Sequence, residues 1–252
     1  MRALVPATWT VIRRRPLVLC YHATSDGWEH SLSVPPAMFA RQLSRLLRWY
    51  RPASVEQILS GTHGCVHVTF DDAFRSVSNV VPALLQLGVP ATVFVCSDYA
   101  DDGKSLAVPE LADESLAHPS ELATMRWEEL RALADSGIEI GSHTVSHPHL
   151  VDLSDRDLKR ELCDARAHIE DELGRSCRYL AYPFGEENGR VRAAARAAGY
   201  EAAFSLRADH VNPDPFGFPR LGIWRGDRLL RAAVKVAARR DHKRDRAGAQ
   251  PG

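Results

Sequence analysis

The sequence has no surplus of charge: its 252 residues carry 32 lysines and arginines against 32 aspartates and glutamates. A chain so balanced has no global field for holding nucleic acid or an anionic membrane, which argues against both as partners. Cysteine is scarce, with single residues at Cys20, Cys65, Cys96, Cys163 and Cys177 and no C-x-x-C spacing. This excludes a disulfide framework or a thiolate metal cage, and the thiols read as buried and reduced. No apolar run approaches the ~18 residues of a membrane span, so no integral membrane segment is expected. The start does not have the shape of a secretory signal, because Arg13, Arg14 and Arg15 follow only a short, mixed apolar stretch. These absences read as a cytoplasmic protein.

An internal repeat and a Pro/Gly/Ser linker are also missing, so one domain is expected over residues 1–230. An arginine-rich helix from about Leu229 runs into a basic, frayed tail over 231–252, where charges of both signs alternate from Arg239 to Arg246. What the chain does have is alternation. Short β-rich runs (Leu17 to Tyr21, Val66 to Phe70, Ala91 to Cys96, Ile138 to Ile140, Tyr179 to Tyr182, Ala202 to Ser205) are separated by helical stripes. The stripes are Phe39/Leu43/Leu46/Leu47, Val80/Leu84/Leu85/Leu87, Trp127 to Asp135, Leu158/Leu162/Ala165/Ile169/Leu173 after the N-cap Ser154, and Val191 to Ala198. Repeated βαβ units imply a mainly parallel sheet or barrel. The acidic, turn-rich stretch from Ser97 to Thr124 reads as a long loop bordering a cleft and setting substrate choice.

Chemistry gathers at the ends of the strands. Thr69-Phe70-Asp71-Asp72-Ala73 sets two carboxylates side by side after a strand, where sites are built in α/β folds. A bound cation would let one aspartate act as ligand and free its neighbour for another task; a plain turn or helix N-cap is the structural alternative. In Ser142-His143-Thr144-Val145-Ser146-His147, two imidazoles four apart are expected on one face of a helical turn, able to grip one ion. With one aspartate they make a His₂Asp set, and three protein ligands leave a coordination position for water, as in catalytic zinc sites. His149 lies nearby without a legible partner and reads as a histidine of the surface or one that supports the site from behind. Ala181-Tyr182-Pro183-Phe184-Gly185 is a strand meeting a Pro-x-Gly turn whose backbone N–H groups could face an oxyanion.

The order T-F-D-D-A, S-H-T-V-S-H-P, A-Y-P-F-G, each at a strand end, closely resembles the polysaccharide deacetylases of the NodB-homology family, carbohydrate esterase family 4, from about Leu17 to Trp224. The resemblance implies a distorted (β/α) barrel and one divalent metal ion, zinc, held by Asp72, His143 and His147, with Asp71 as catalytic base. Leu19-Cys20-Tyr21-His22 resembles the first strand of a permuted subgroup, the exopolysaccharide N-deacetylases, and gives His22 the role of general acid. Tyr182, Pro183 and Phe184 take the substrate and oxyanion positions. Two departures stand out. Ala73 replaces a glycine, and Ala181 occupies the place of an arginine that orients the base, a role Arg220 can supply from another strand. The implied reaction is hydrolysis of an N-acetyl group on an N-acetylhexosamine-containing carbohydrate. A related amidohydrolase or O-acetyl esterase, a glycan-binding module without activity, and a surface-binding protein acting through its basic tail are the alternatives.

Overall fold

The computed structural model describes residues 15–206 and 214–227. The N-terminal stretch before Arg15, the helix expected from Leu229 and the boundary between residues 230 and 231 lie outside the described residues. Strand β1 (Leu17–Tyr21) leads to α1 (Pro36–Leu46), β2 (Arg51–Pro52), α2 (Val55–Leu59) and β3 (Cys65–Phe70). Next come α3 (Val81–Gln86), β4 (Ala91–Val95), α4 (Ser97–Ala100), α5 (Ala112–Ala117), α6 (Trp127–Asp135) and β5 (Glu139–Ser142). Then follow α7 (Asp155–Leu173), β6 (Tyr179–Ala181), α8 (Gly189–Ala197), β7 (Ala202–Ser205), β8 (Phe218–Pro219) and β9 (Leu221–Gly222).

All pairings between these strands are parallel, in the order β8-β7-β6-β5-β4-β3-β1-β9, with β2 added beside β3. The two ends of that path are neighbours in sequence, because only Arg220 separates β8 from β9. The Arg220 N–H donates to the Ser205 carbonyl (2.9 Å) and the Ile223 N–H to the Cys20 carbonyl (2.8 Å). Residues 218–223 thus pass from the β7 edge to the β1 edge, and the sheet curls into a nearly closed, distorted (β/α) barrel.

The period of two along each strand sorts the interior. Leu17, Leu19, Tyr21, Val66, Val68, Phe70, Val93, Val95, Leu180 and Ala203 share one apolar cluster with helix residues such as Phe39, Leu43, Leu130, Leu158 and Leu162. Their alternates Val18, Cys65, Phe94, Tyr179, Ala181, Ala202 and Phe204 form a second cluster, on the barrel's inner side. Burying either set contributes about 25 cal/mol per Å² of apolar surface, so a one-residue slip would exchange the two layers and is strongly disfavoured. Gly141 falls on the inner register for the same reason. A methyl group there would lie 2.6 Å from the Phe94 ring, so only glycine lets that ring fill the interior.

Helix ends follow local chemistry. The Ser154 side chain accepts the Asp157 N–H at the start of α7, and Gly174 ends the helix in the left-handed conformation at φ 62°. The stripe Val80/Leu84/Leu85/Leu87 forms the short α3, with Val80 and Leu87 as its caps, Pro82 in its first turn and Gly88 left-handed behind it; Val80 and Leu84 are buried, whereas Leu85 and Leu87 stay exposed. One expectation needs correction. The stretch from Ser97 to Thr124 is no open loop. It carries α4, α5 and a 3₁₀ turn at Pro109–Leu111, and is tied by isolated bridges Phe74–Thr124 and Ser105–Ala123. Leu106, Val108, Leu111 and Leu122 pack with Ala23, Trp28 and Phe74 into a core of their own, and the Trp28 indole N–H donates to Glu114 (2.7 Å). Those apolar residues follow no single period, so the composition concealed them.

Candidate active site

The site residues extend the inner register past the carboxyl ends of the strands. His22 follows Val18 and Cys20 on β1, Asp71 follows Cys65, His67 and Thr69 on β3, and His143 follows Gly141 on β5. The Asp71 N–H still pairs with the Tyr21 carbonyl (2.9 Å) and the His143 N–H with that of Val95 (2.8 Å), so both side chains hang from rigid strand ends. After Asp71 the chain turns sharply. Asp72 and Ala73 lie at φ 67° and 48°, left-handed values disfavoured for L-residues by roughly 1–2 kcal/mol each. This strained turn swings the Asp72 carboxylate away from Asp71 and towards the histidines.

Two buried clusters result. In one, Asp72 Oδ1 lies 3.5 Å from His143 Nε2 and 3.4 Å from His147 Nε2, yet has no hydrogen-bond partner among the described residues. His143 Nδ1 sits 2.8 Å from the Ala181 carbonyl; a carbonyl only accepts, so Nδ1 holds the proton and Nε2 turns its lone pair on the cluster. A buried acceptor oxygen facing two imidazole nitrogens, one with an available lone pair, is the donor set of a divalent cation, and the residues fit one. The expected helical turn between the imidazoles is corrected: Thr144 (φ 75°) and His147 (φ 63°) are left-handed, and the two rings converge across an irregular loop instead.

In the other cluster Asp71 is clasped by Arg220, with Nη1 donating to Oδ1 at 2.6 Å and Nη2 to Oδ2 at 2.7 Å. The same guanidinium donates to Thr69 Oγ1 (3.0 Å) and lies over the Phe94 ring, wholly inside the barrel. The Cys20 thiol donates to Asp71 Oδ2 (3.3 Å), and the ligand atoms of Cys20, His22 and Asp71 lie within 4.8 Å of one another. The His22 ring stacks on Trp224 at 5.4 Å, and its Nδ1 has no hydrogen-bond partner among the described residues.

Burial and charge separate the neighbouring carboxyls. Burial alone would raise Asp71, but the charge and hydrogen bonds of Arg220 outweigh it and hold the group well below the usual carboxylate range. Burial raises Asp72 far above that range, with the Asp71 charge adding to it. Arg220 thus holds Asp71 ionised, whereas its pull on Asp72 is outweighed by burial and the Asp71 charge. Burial also pushes His22 down to about 4 against the pull of Asp71, and His67 down to about 4 against its hydrogen bond to the Ala53 carbonyl. For histidines depressed in the fold, protonation favours the unfolded chain, where they titrate near ~6.5. Their stabilisation is full above ~6.5 and is lost as the pH falls towards the folded value. With metal chelated, these two residues alone should lower the unfolding free energy by about 5 kcal/mol between about pH 7 and about pH 4.5 in denaturant titrations. His67→Gln should remove about half of that slope; a flat profile for the unaltered protein would contradict the burial argument.

The third motif adds a wall. Phe184 is left-handed (φ 58°), and its ring meets His147 at 4.7 Å edge-on. Gly185 allows the turn at φ 66°, where a Cβ would strike Leu206 at 2.4 Å. Pro183 is buried and has no N–H. Tyr182 gives its N–H to the Phe204 carbonyl (3.0 Å) and its hydroxyl to that of Phe216 (2.9 Å), so both its donors serve the scaffold. His149 does have partners: it stacks on Phe184 at 3.9 Å and reaches Glu186 (3.0 Å) and Glu110 (3.1 Å), linking the acidic segment to this wall. A residue the motifs did not name is Glu161 on α7, buried with its carboxylate against the loop between His143 and His147. Its signal was a glutamate three residues after Leu158, on the apolar face of an amphipathic helix.

A model of the family described as polysaccharide deacetylase matches residues 60–203, more than half of the chain. The chain belongs to the polysaccharide deacetylase family. The matched span contains Asp71, Asp72, His143, His147 and the 181–185 turn but neither His22 nor Arg220, which the barrel closure brings to the site. Among sequence relatives, YxkH of Bacillus subtilis, named for the same family, is 25% identical over 206 residues, covering 78% of this chain and 66% of that protein. The chitooligosaccharide deacetylase of Sinorhizobium fredii is 29% identical over 161 residues, 63% of this chain and 61% of its own length. The chain therefore spans just under two thirds of these relatives. Among solved structures, IcaB from Ammonifex degensii superposes with a TM-score of 0.73 over 89% of this chain and 97% of its own, at 21% identity. A polysaccharide deacetylase from Bacillus cereus gives 0.70 over 88% and 69%, also at 21% identity. These two establish the shared fold. Among the described residues, no helix is long and apolar enough to cross a membrane.

Proposed function

We propose that this family member is a metal-dependent deacetylase that removes N-acetyl groups from an N-acetylhexosamine-containing glycan or glycoconjugate, within one catalytic domain. The observation that carries the reading is the division of labour between adjacent aspartates: Asp72 faces two histidines, whereas Asp71 is clasped by Arg220 and left off that cluster. Asp72, His143 and His147 would hold one divalent ion, zinc by the mixed nitrogen and oxygen donor set, and when bound it supplies Lewis acidity to the acetamide oxygen and to a water.

The chain's own residues account for the protons. Asp71, ionised and fixed by Arg220, takes a proton from water as the new C–O bond forms. The N–H of Phe184, whose ring packs on His147, would donate to the oxygen that gains charge. His22, pushed down to about 4, is neutral at rest. The proton it gives the amine must therefore be collected during the reaction, and Asp71, within 4.8 Å and more acidic than an ordinary carboxyl, is the donor in reach. The C–N bond then breaks to acetate and a free amino sugar.

Acetate release is the test, measured on matched N-acetylated and O-acetylated oligosaccharides before and after chelation and zinc repletion. Release from the N-acetylated substrates, lost on chelation and restored by zinc, is expected. Release confined to the O-acetylated set would make the protein an esterase, and release indifferent to chelation would refute the metal assignment.

A further inference from the structure

The loop between the two histidines is irregular, with left-handed residues at Thr144 (φ 75°) and His147 (φ 63°), and needs an external partner to hold its shape. Its carbonyls have one: Thr144 and Val145 accept the N–H groups of Ser97 and Asp98 (both 3.1 Å). The Thr144 and His147 N–H groups bond within the loop, to Ser142 Oγ (3.2 Å) and Thr144 Oγ1 (3.1 Å), and the donors between them turn to α7. Glu161 Oε2 accepts the N–H of Val145 and of Ser146, each at 2.9 Å, and Oε1 accepts the Ser146 hydroxyl, also at 2.9 Å. The carboxylate is 2% exposed, so these protein donors stand in for water. The neighbouring Arg160 approaches Oε1 only at 3.6 Å from an exposed position, which leaves the loop as the main partner.

We infer that Glu161 is a positioning residue for the metal centre: by fixing the two peptide N–H groups between His143 and His147, it sets the separation of the imidazoles and thereby the affinity for the ion. This rests on the metal reading given above. The carboxylate touches neither histidine and no reacting atom. Its length matters, since α7 lies behind the loop and a shorter side chain would not span to two adjacent N–H groups. Partners that orient metal ligands from behind typically account for about 10- to 100-fold in metal affinity.

The test is zinc affinity by competition with a chromophoric chelator, together with the visible spectrum of the cobalt-substituted protein. Both are recorded below the onset of thermal unfolding. Glu161→Ala should bind zinc about 10- to 100-fold more weakly and shift the cobalt bands, with activity recovering at high zinc. Glu161→Gln, which keeps the volume and one acceptor oxygen, should show a smaller loss of the same sign and covers the case in which the alanine variant does not fold. Arg160→Ala should bind as the unaltered protein does. Unchanged affinity and bands in Glu161→Gln and Glu161→Ala, with tight binding by the unaltered protein, would overturn the Glu161 role alone. Absence of zinc binding by the unaltered protein would overturn it together with the metal reading.

Discussion

Asp71→Asn is expected to lower acetate release by about 10³-fold, in kcat and kcat/KM alike, while the protein still takes up a metal ion. Asparagine keeps the shape of the side chain and one oxygen for Arg220, but its amide cannot take the proton of an attacking water. Metal should stay because Asp71 is the more distant carboxylate: its Oδ2 is 3.9 Å from His143 Nε2, whereas Asp72 Oδ1 is at 3.5 Å from that atom and 3.4 Å from His147 Nε2. Asp72→Asn and His143→Ala should lose metal and turnover together. Metal content after desalting, read beside the kinetics, separates the two roles. Near-normal release by Asp71→Asn would remove it as base, and metal loss equal to that of Asp72→Asn would make it a ligand.

Much of this site could be read in the sequence, for physical reasons that differ between its parts. His22, Asp71 and His143 each follow a β-branched or apolar run, so placing them at strand ends needed only the period of two and the rule that α/β sites form there. The donor types at Asp72, His143 and His147 were equally legible. What could not be read was the path of the backbone between them. The histidine spacing suggested a helical turn, and the loop is instead left-handed at Thr144 and His147, a shape imposed by contacts from α4 and α7. Glu161 and the two partners of His149 depend on packing between segments far apart in sequence, and no local pattern encodes that. The folded segment from Ser97 to Thr124 hid for a related reason, since Leu106, Val108, Leu111 and Leu122 meet Trp28 only in three dimensions.

Arg220 is the part of the site that the sequence raised and the barrel explains. It stands at the seam where β8 ends and β9 begins, so the inner register delivers its side chain beneath Asp71, from the far end of the described chain. Ala181 occupies the place where the family resemblance implies an arginine, yet its carbonyl holds His143 Nδ1 at 2.8 Å, so the position still serves the site through its backbone. Arg220→Met is expected to destabilise the fold by about 3–5 kcal/mol, because the Asp71 carboxylate would be left buried and unpaired. Asp71→Asn introduced into that variant should restore part of the loss by removing the lone charge, so the double substitution should be less damaging than the two single costs added together. Arg220→Lys keeps the charge but not the two-pronged clasp. It should retain most of the stability and metal content yet turn over substrate far more slowly, with KM little changed. Denaturant titrations of the four-member cycle give the coupling directly: strictly additive costs would mean that the 2.6 and 2.7 Å contacts carry no energy, and full activity in Arg220→Lys would mean that the base needs no clasp.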